Sequence, residues 1–368
     1  SAVLSLAQYA KYRCILTGTP LPKSYIDIFN LFDFLWPNHS PINDNKKLLI
    51  QFEAEKNNIK KVKNILDDSI GPLFYRVRKS DIGLIPPNYN PPTVIKMNKY
   101  EKYIYDSIEK RIRYLSHEDY LRNIDTIIKL RRGRIIRLRQ CVSYVKLLMK
   151  AIDNYNEDII SEDSELAQII RNYDELEIPA KLEYLIKFVK ELHQRKQKVL
   201  IWANFIGTLE LIIQTLTNEG FYCKLIYGKT PTDQTSIEEE ETREKIRDEF
   251  VDSKSGLNIL VANPAACAES ISLHKTCFNA IYYDLSYNCA QYLQSLDRIH
   301  RVGGSEINLA NYHYFQYKNT IDKDIKDNLD SKAQRMYEII EEDYEIYNLD
   351  MFEEEEYAGA YERIFLNK

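Results

Sequence analysis

Residues able to do chemistry stand at telling intervals in YLQSLDRIHRVGGSE, residues 292–306. Gln294, Asp297, Arg298 and Arg301 follow the spacing i, i+3, i+4, i+7, which on a helix is one face. Leu293, Leu296 and His300 fall on a neighbouring stripe suited to burial. Two chemistries fit this pattern. One is a solvated face on which Asp297 and Arg301 pair in the favourable order. The other aims two permanently charged, planar guanidinium groups at a phosphate, which each would grip through a rigid fork of donors. No Ser/His/Asp or Cys/His arrangement stands out elsewhere, so nucleophilic hydrolase chemistry has no support.

Composition narrows the alternatives. A chain of 368 residues is long enough for two or three domains, each with its own core. No apolar run reaches about 18 residues, so no transmembrane helix is expected. The opening SAVLSLAQYAKYRC has no basic n-region before a long apolar core and does not read as a signal peptide. Cys14, Cys141, Cys223, Cys267, Cys277 and Cys289 include no C-x-x-C pair, which argues against zinc and disulfide frameworks. Buried thiols in a reducing cytoplasm are expected, of a bacterial or virally infected cell, with the nucleus left open. The net charge of −5 hides an asymmetry. Lys110 to Arg139 is strongly basic and includes Arg131, Arg132, Arg134, Arg137 and Arg139, whereas Glu338 to Glu356 is acidic. The first reads as a polyanion-facing surface or as a solvated helix face whose interleaved Ile and Leu line a core. The second reads as a solvated terminus or as a mask for the basic groove.

The elements that must position the arginines come mostly after Pro179. There KVLIWA, CKLIYG, LNILVA, NAIYYD and NLANYHYF are strand-like runs, with helical patterns at 206–219 and 236–252 between them. Alternation at this interval predicts a doubly wound parallel sheet, whose ligands sit outside the carboxyl ends of the strands. A helix over PAKLEYLIKFVKELHQRK should bury Leu182, Leu185, Ile186, Val189 and Leu192. Before it, CILTGTP reads as a strand ending in a turn. SYIDIFNLFDFLWP reads as a helix capped by Ser24 and Asp27, and 46–70 as a second helical stretch. PPNYNPP marks a linker. The expected organisation is the end of a first lobe at 1–75, a linker at 76–98, an all-helical insertion at 99–174, a second lobe at 175–320 and a helical acidic tail at 321–368.

Five segments, taken in order, resemble the Swi/Snf-type ATP-dependent DNA translocases of helicase superfamily two. They are CILTGTP with NLFDFLWP, LRQCVSYVKLL, KVLIWANF, Tyr227-Gly228-Lys229-Thr230, and the Q-x-x-D-R-x-H-R of Gln294 to Arg301 followed by Gly303. Gly304 stands where that family usually has Gln, and AACAESISL replaces a Gly-rich loop. The sequence contains no G-x-x-x-x-G-K-[ST] phosphate loop and no DEAH-type acidic box.

The resemblance implies a RecA-like α/β lobe with an all-helical insertion and a remnant of a first lobe. It implies ATP and Mg2+ held mainly by a first RecA-like lobe that this chain does not supply, and double-stranded DNA as track and activator. Arg298 and Arg301 become arginine fingers, Gln294 a contact to nucleotide or attacking water, and Asp297 the residue that orients the arginines. Thr17, Gly18 and Thr19 would couple nucleotide state to lobe movement. Asn204, Phe205, Lys229 and Thr230 would line the DNA groove, and Arg131, Arg132 and Arg134 would clamp the duplex. Ser270 and His274 are further candidates for DNA or nucleotide contact. On this reading the chain is part of an ATP-hydrolysing translocase and is inactive alone. A non-catalytic DNA- or protein-binding scaffold is the alternative.

Overall fold

The computed structural model describes residues 2–16, 26–56, 58–73, 82–116, 124–150, 157, 160, 164–233, 241–267, 271–341 and 353–366. They form two compact units, one of residues 1–81, 288–290 and 329–353, the other of 82–287, 291–328 and 354–368. The helical insertion therefore groups with the second lobe.

In the first unit, α1 (Ala2–Ala7) is followed by an irregular stretch at 13–16 where a strand is expected; Thr17 to Pro20 lie outside the described residues. Helices α2 (Ile26–Leu35), α3 (Asp44–Glu55) and α4 (Ile59–Ile70) come next. Phe29, Phe32, Ile50, Val62 and Leu66 close a small apolar core between them. The single helical stretch read over 46–70 is broken, and Asn43 caps α3 by accepting from Lys46 N at 3.0 Å.

The second unit is built on a parallel sheet. Strands β1 (Asn88–Tyr89), β2 (Thr93–Ile95), β3 (Lys198–Trp202), β4 (Cys223–Ile226), β5 (Ile259–Ala262), β6 (Cys277–Tyr282) and β7 (Asn311–Tyr317) line up as β1-β7-β6-β3-β5-β4, with β2 also on β7. All the pairings are parallel. Every residue of β3 and β5 is buried, as central strands covered on both faces require, so VLIW and ILVA read as continuous apolar runs. The predicted linker adds β1 and β2 to this sheet. Pro-flanked segments can pair only at an edge, where a missing N–H leaves no ladder bond broken, and β1 and β2 both sit there on β7.

Helices α5 (Lys99–Ser116), α6 (Ile124–Ser143), α7 (Glu165–Arg171) and α8 (Tyr173–Leu176) form the insertion, and α9 (Ala180–Gln194) leads into β3. Leu182, Leu185, Val189 and Leu192 pack on Val199, Ile201 and Val261 as the periodicity predicts. Helices α10 (Ile206–Asn218), α11 (Arg243–Val251), α12 (Pro264–Cys267) and α13 (Cys289–Leu296) follow β3, β4, β5 and β6. The chain ends in α14 (Ile321–Glu341), α15 (Glu353–Tyr361) and a π-turn at 362–366.

Candidate functional site

The 292–306 segment lies where a ligand-facing element belongs, after β6 at the carboxyl edge of the sheet, but it is not one continuous helix. Helix α13 stops at Leu296. The Leu296 carbonyl is taken by the Tyr312 hydroxyl and the Gln294 carbonyl by Arg298 Nε at 3.0 Å, while Arg298 N turns back to Ser295 O at 3.3 Å. Side chains have replaced the amides that would carry the helix on. The single helical face expected for Gln294, Asp297, Arg298 and Arg301 is therefore corrected. Gln294 is on the helix, Asp297 and Arg298 are in the turn after it, and Arg301 is on the bend beyond. Leu293, Leu296 and His300 are buried as expected, and His300 Nε2 donates to Ile85 O at 2.9 Å.

Both arginines converge on residues 271–273. Arg298 Nη1 donates to Ile271 O at 3.0 Å, and Leu273 N returns a bond to Arg298 O at 2.9 Å. Arg301, exposed, reaches Ser272 Oγ with Nη1 at 2.9 Å, while its own N–H donates to Ser305 Oγ at 3.0 Å. Arg298 is half-buried against two carbonyls; Arg301 is tethered by a single hydroxyl. His274 lies beneath Gly303 and Gly304. Its burial, then the charges of Arg301 and Lys275, hold its pKa below the ordinary value, which favours a neutral ring. Ser270, Thr17, Gly18 and Thr19 lie outside the described residues.

The same edge is laced by side chains that motif reading missed. Buried Asp284, just past β6, accepts from Asn204 N and Asn204 Nδ2 at 2.7 Å each through Oδ1, and from Ser143 Oγ through Oδ2. Ser143, at the end of α6, also bonds Thr208 Oγ1 at 2.6 Å, which ties the insertion to α10. Asn263 donates to Asn204 O at 2.7 Å, and its N–H donates to Ile226 O at 3.1 Å. Asn263 and Asp284 each follow the carboxyl end of a parallel strand, the one sequence signal that could have found them; Ser143 and Thr208 lie on helices and carry no such signal.

Among the predicted groove residues, Asn204 is held by Asp284, and half-buried Phe205 lies 5.4 Å under the Arg139 guanidinium. Lys229 is exposed on the turn after β4. Thr230 is buried, its hydroxyl accepting from Tyr227 N at 3.1 Å to close that turn.

The basic run divides. Arg132 is exposed beside Tyr357, and Arg131 lies 3.5 Å from Glu362. Arg134, expected at a DNA-facing surface, is wholly buried. It makes a two-pronged pair with Glu157, both bonds 2.7 Å, and donates to Tyr361 OH at 2.7 Å. Arg139 is buried with Tyr357 OH at 2.6 Å. The correction has a physical cause: a guanidinium on the inner side of α6 must be paired when covered, and Glu157 and the C-terminal tyrosines supply the partners. The acidic tail is thus not wholly solvated; its last helix packs on the arginines of α6. Among the described residues no three His, Cys, Asp or Glu side chains come together to hold a metal ion. No helix of them is long and apolar enough to cross a membrane.

A parallel sheet with arginines gathered on a loop at its carboxyl edge defines a RecA-like α/β lobe. Comparison with known proteins names the family. Residues 3–169 match the SNF2-related domain, and residues 180–303 match the helicase conserved C-terminal domain. The chain is 24% identical over 319 residues to Protein CHROMATIN REMODELING 5 of Arabidopsis thaliana, covering 86% of this chain and 17% of that protein. It is 24% identical over 302 residues to human Chromodomain-helicase-DNA-binding protein 6, covering 80% of this chain and 10% of that one. Against an uncharacterized ATP-dependent helicase of Mycoplasma genitalium the identity is 22% over 333 residues, 90% of this chain and 28% of the relative. The chain thus spans between 10% and 28% of the length of these relatives. The solved C-terminal part of the Fun30 ATPase domain shares the fold, with a TM-score of 0.52 and 19% identity over 77% of this chain and 97% of that one. The chain belongs to the SNF2-type helicases and carries their C-terminal lobe.

Proposed function

We propose that this chain supplies the arginine half of an ATP-dependent motor that moves along double-stranded DNA. What supports the reading is the convergence of Arg298 and Arg301 on residues 271–273 at the carboxyl edge of the sheet. Phosphoryl transfer needs charge stabilised on the γ-phosphate, and a guanidinium offers a permanent charge in a planar fork. Arg301 gives up one hydroxyl contact to reach a phosphate, at a net cost of about 1 kcal/mol. Arg298 must break two carbonyl bonds. Arg301 is therefore the mobile finger, and Arg298 holds the loop from which it acts. Gln294 faces the nucleotide or the attacking water, and Asp297 orients the arginines. ATP and Mg2+ bind in the main to a first RecA-like lobe whose phosphate loop this chain does not contain, so turnover waits on closure of two lobes. Thr17, Gly18 and Thr19 transmit that closure.

Asn204, Phe205, Lys229 and Thr230 belong to the strand-end loops that meet the DNA backbone, a contact that grips without reading sequence. Arg131 and Arg132 are the members of the basic run that join them; Arg134 serves the interior. The domain division follows: first-lobe remnant, linker strands, helical insertion, second lobe and a C-terminal segment docked on the insertion. The test is ATP turnover, with and without duplex DNA, by this chain joined to a lobe bearing a phosphate loop. Duplex-stimulated turnover that falls by about 10³-fold or more in Arg301→Ala is the expected result. Turnover unchanged by loss of both arginines would leave the lobe as a scaffold.

A further inference from the structure

Arg243 opens α11, yet among the described residues its guanidinium meets main-chain carbonyls. Nε donates to Thr230 O at 2.9 Å, Nη1 to Ala266 O at 2.9 Å, and Nη2 to Tyr227 O and Gly228 O at 3.2 and 3.3 Å. Its own N–H donates to Pro231 O at 2.9 Å. No carboxylate is among these partners, so ion pairing does not explain its place. One planar fork spans two loops of the carboxyl edge, the 227–230 turn after β4 and α12 after β5. Further along the chain, Ile271 and Ser272 accept from Arg298 and Arg301. Ala266 is thus tied to the residue that holds the Lys229 turn, and Ile271 and Ser272 to the arginine pair.

We propose that Arg243 is a positioning residue that transmits duplex contact at the 227–230 turn to the 271–273 loop and so to Arg298 and Arg301. A displacement of the turn moves its three carbonyls, the rigid guanidinium follows as a unit, and Ala266 is drawn with it. A lysine cannot do this, because one ammonium with three donors on a flexible stem does not span four carbonyls in a fixed plane. Thr242, immediately before, stiffens the anchor: its hydroxyl donates to Asp233 Oδ1 and accepts from Lys245 N at 3.2 Å. This role rests on the proposed DNA contact of the turn, and the experiment separates the two.

Amide exchange of the 264–273 peptide is followed in this chain with and without a short DNA duplex, whose binding is measured by fluorescence anisotropy. In the unsubstituted chain, duplex slows exchange at 271–273 by about tenfold, the scale of ordinary coupling between sites. Arg243→Ala and Arg243→Lys bind duplex within about fivefold of the parent, yet lose most of that slowing. A fold defect alone would raise exchange equally with and without duplex, so the duplex-dependent difference isolates coupling. If Arg243→Ala does not fold, Arg243→Lys, which keeps length and charge, decides the matter. Slowing that persists undiminished in a folded Arg243 variant overturns the role while leaving the motor intact. Absence of duplex binding or of slowing in the parent chain overturns the coupling role, and absence of binding also counts against DNA contact by the turn.

Discussion

The α-carbon of Gly304 stands so close to the main chain of His274 that a β-carbon there would lie 2.0 Å from the His274 carbonyl oxygen. Any side chain at 304 would meet that carbonyl, so the glycine is matched to the 271–274 backbone of this protein. Gly304→Ala should force that backbone away and cost about 1–3 kcal/mol of stability, the range for overpacking. Gly303→Ala is a control with a different cause. Its added β-carbon would find nothing nearer than 3.5 Å, but a φ of +93° strains any side chain. Thermal unfolding of both variants separates close contact from backbone strain. A Gly304→Ala protein as stable as the parent would show that the His274 loop yields freely.

Asp284 should behave as the keystone of the carboxyl edge. It is buried and accepts from Asn204 twice and from Ser143. Asp284→Ala leaves those donors unsatisfied, and a cost of about 2–4 kcal/mol is expected. Ser143→Ala should cost less, because it removes only one of the three bonds to Asp284. A double-mutant cycle in urea should give a coupling of about 1 kcal/mol; additivity within about 0.3–0.5 kcal/mol would show two independent contacts.

Much of this edge was legible because buried parallel strands announce themselves. The runs KVLIWA and LNILVA contain β3 and β5, since burial on both faces demands apolar residues there, while CKLIYG contains the edge strand β4 and NAIYYD overlaps β6 only from Asn279 to Tyr282. The ordered motifs likewise led to Arg298 and Arg301. Other features were hidden for physical reasons. Periodicity describes a helix that continues; it does not reveal that Tyr312, distant in sequence, takes the Leu296 carbonyl and helps end α13. Arg134 and Arg132 look alike in a basic run, and only the packing of the last helix buries one and exposes the other. The side chains of Asn263, Asp284 and Arg243 act through partners 13 to 141 residues away, which spacing does not encode.

His313 gives the protein a predictable acid sensitivity. The ring sits on β7 with its centroid 4.8 Å from that of Phe188, its Nε2 buried without a hydrogen-bond partner, and burial lowers its pKa to about 4. Unfolding returns it to the ordinary value of about 6.5. Between these values the unfolded chain binds more protons than the folded one, so stability falls as pH drops through this window. Above pH about 6.5 the contribution is flat. Allowing for partial exposure of the ring, the loss reaches about 2 kcal/mol near pH 4. His313→Phe, which keeps an aromatic ring against Phe188, should flatten that part of the stability profile. An unchanged slope between pH 4 and 6.5 would assign the acid sensitivity to other groups.

The C-terminal helix should be an integral part of the second unit, with Tyr361 as its anchor. Its ring is fully buried, its hydroxyl accepts from Arg134 Nη1 at 2.7 Å, and Arg131 lies 5.1 Å over its face. Three substitutions should therefore fall in a set order. Tyr361→Ala removes the ring and uncovers the Arg134–Glu157 pair, costing about 3–5 kcal/mol. Tyr361→Phe keeps the packing and loses the hydroxyl's bonds to the buried Arg134 and to Ser116, costing about 1.5–3 kcal/mol. Glu362→Ala breaks only the partly exposed contact with Arg131, worth less than about 1 kcal/mol. Urea denaturation of the three variants reads the order directly. If Tyr361→Ala proved no worse than Glu362→Ala, the tail would be a loosely held appendage, and the burial of Arg134 would have to be carried by Glu157 alone.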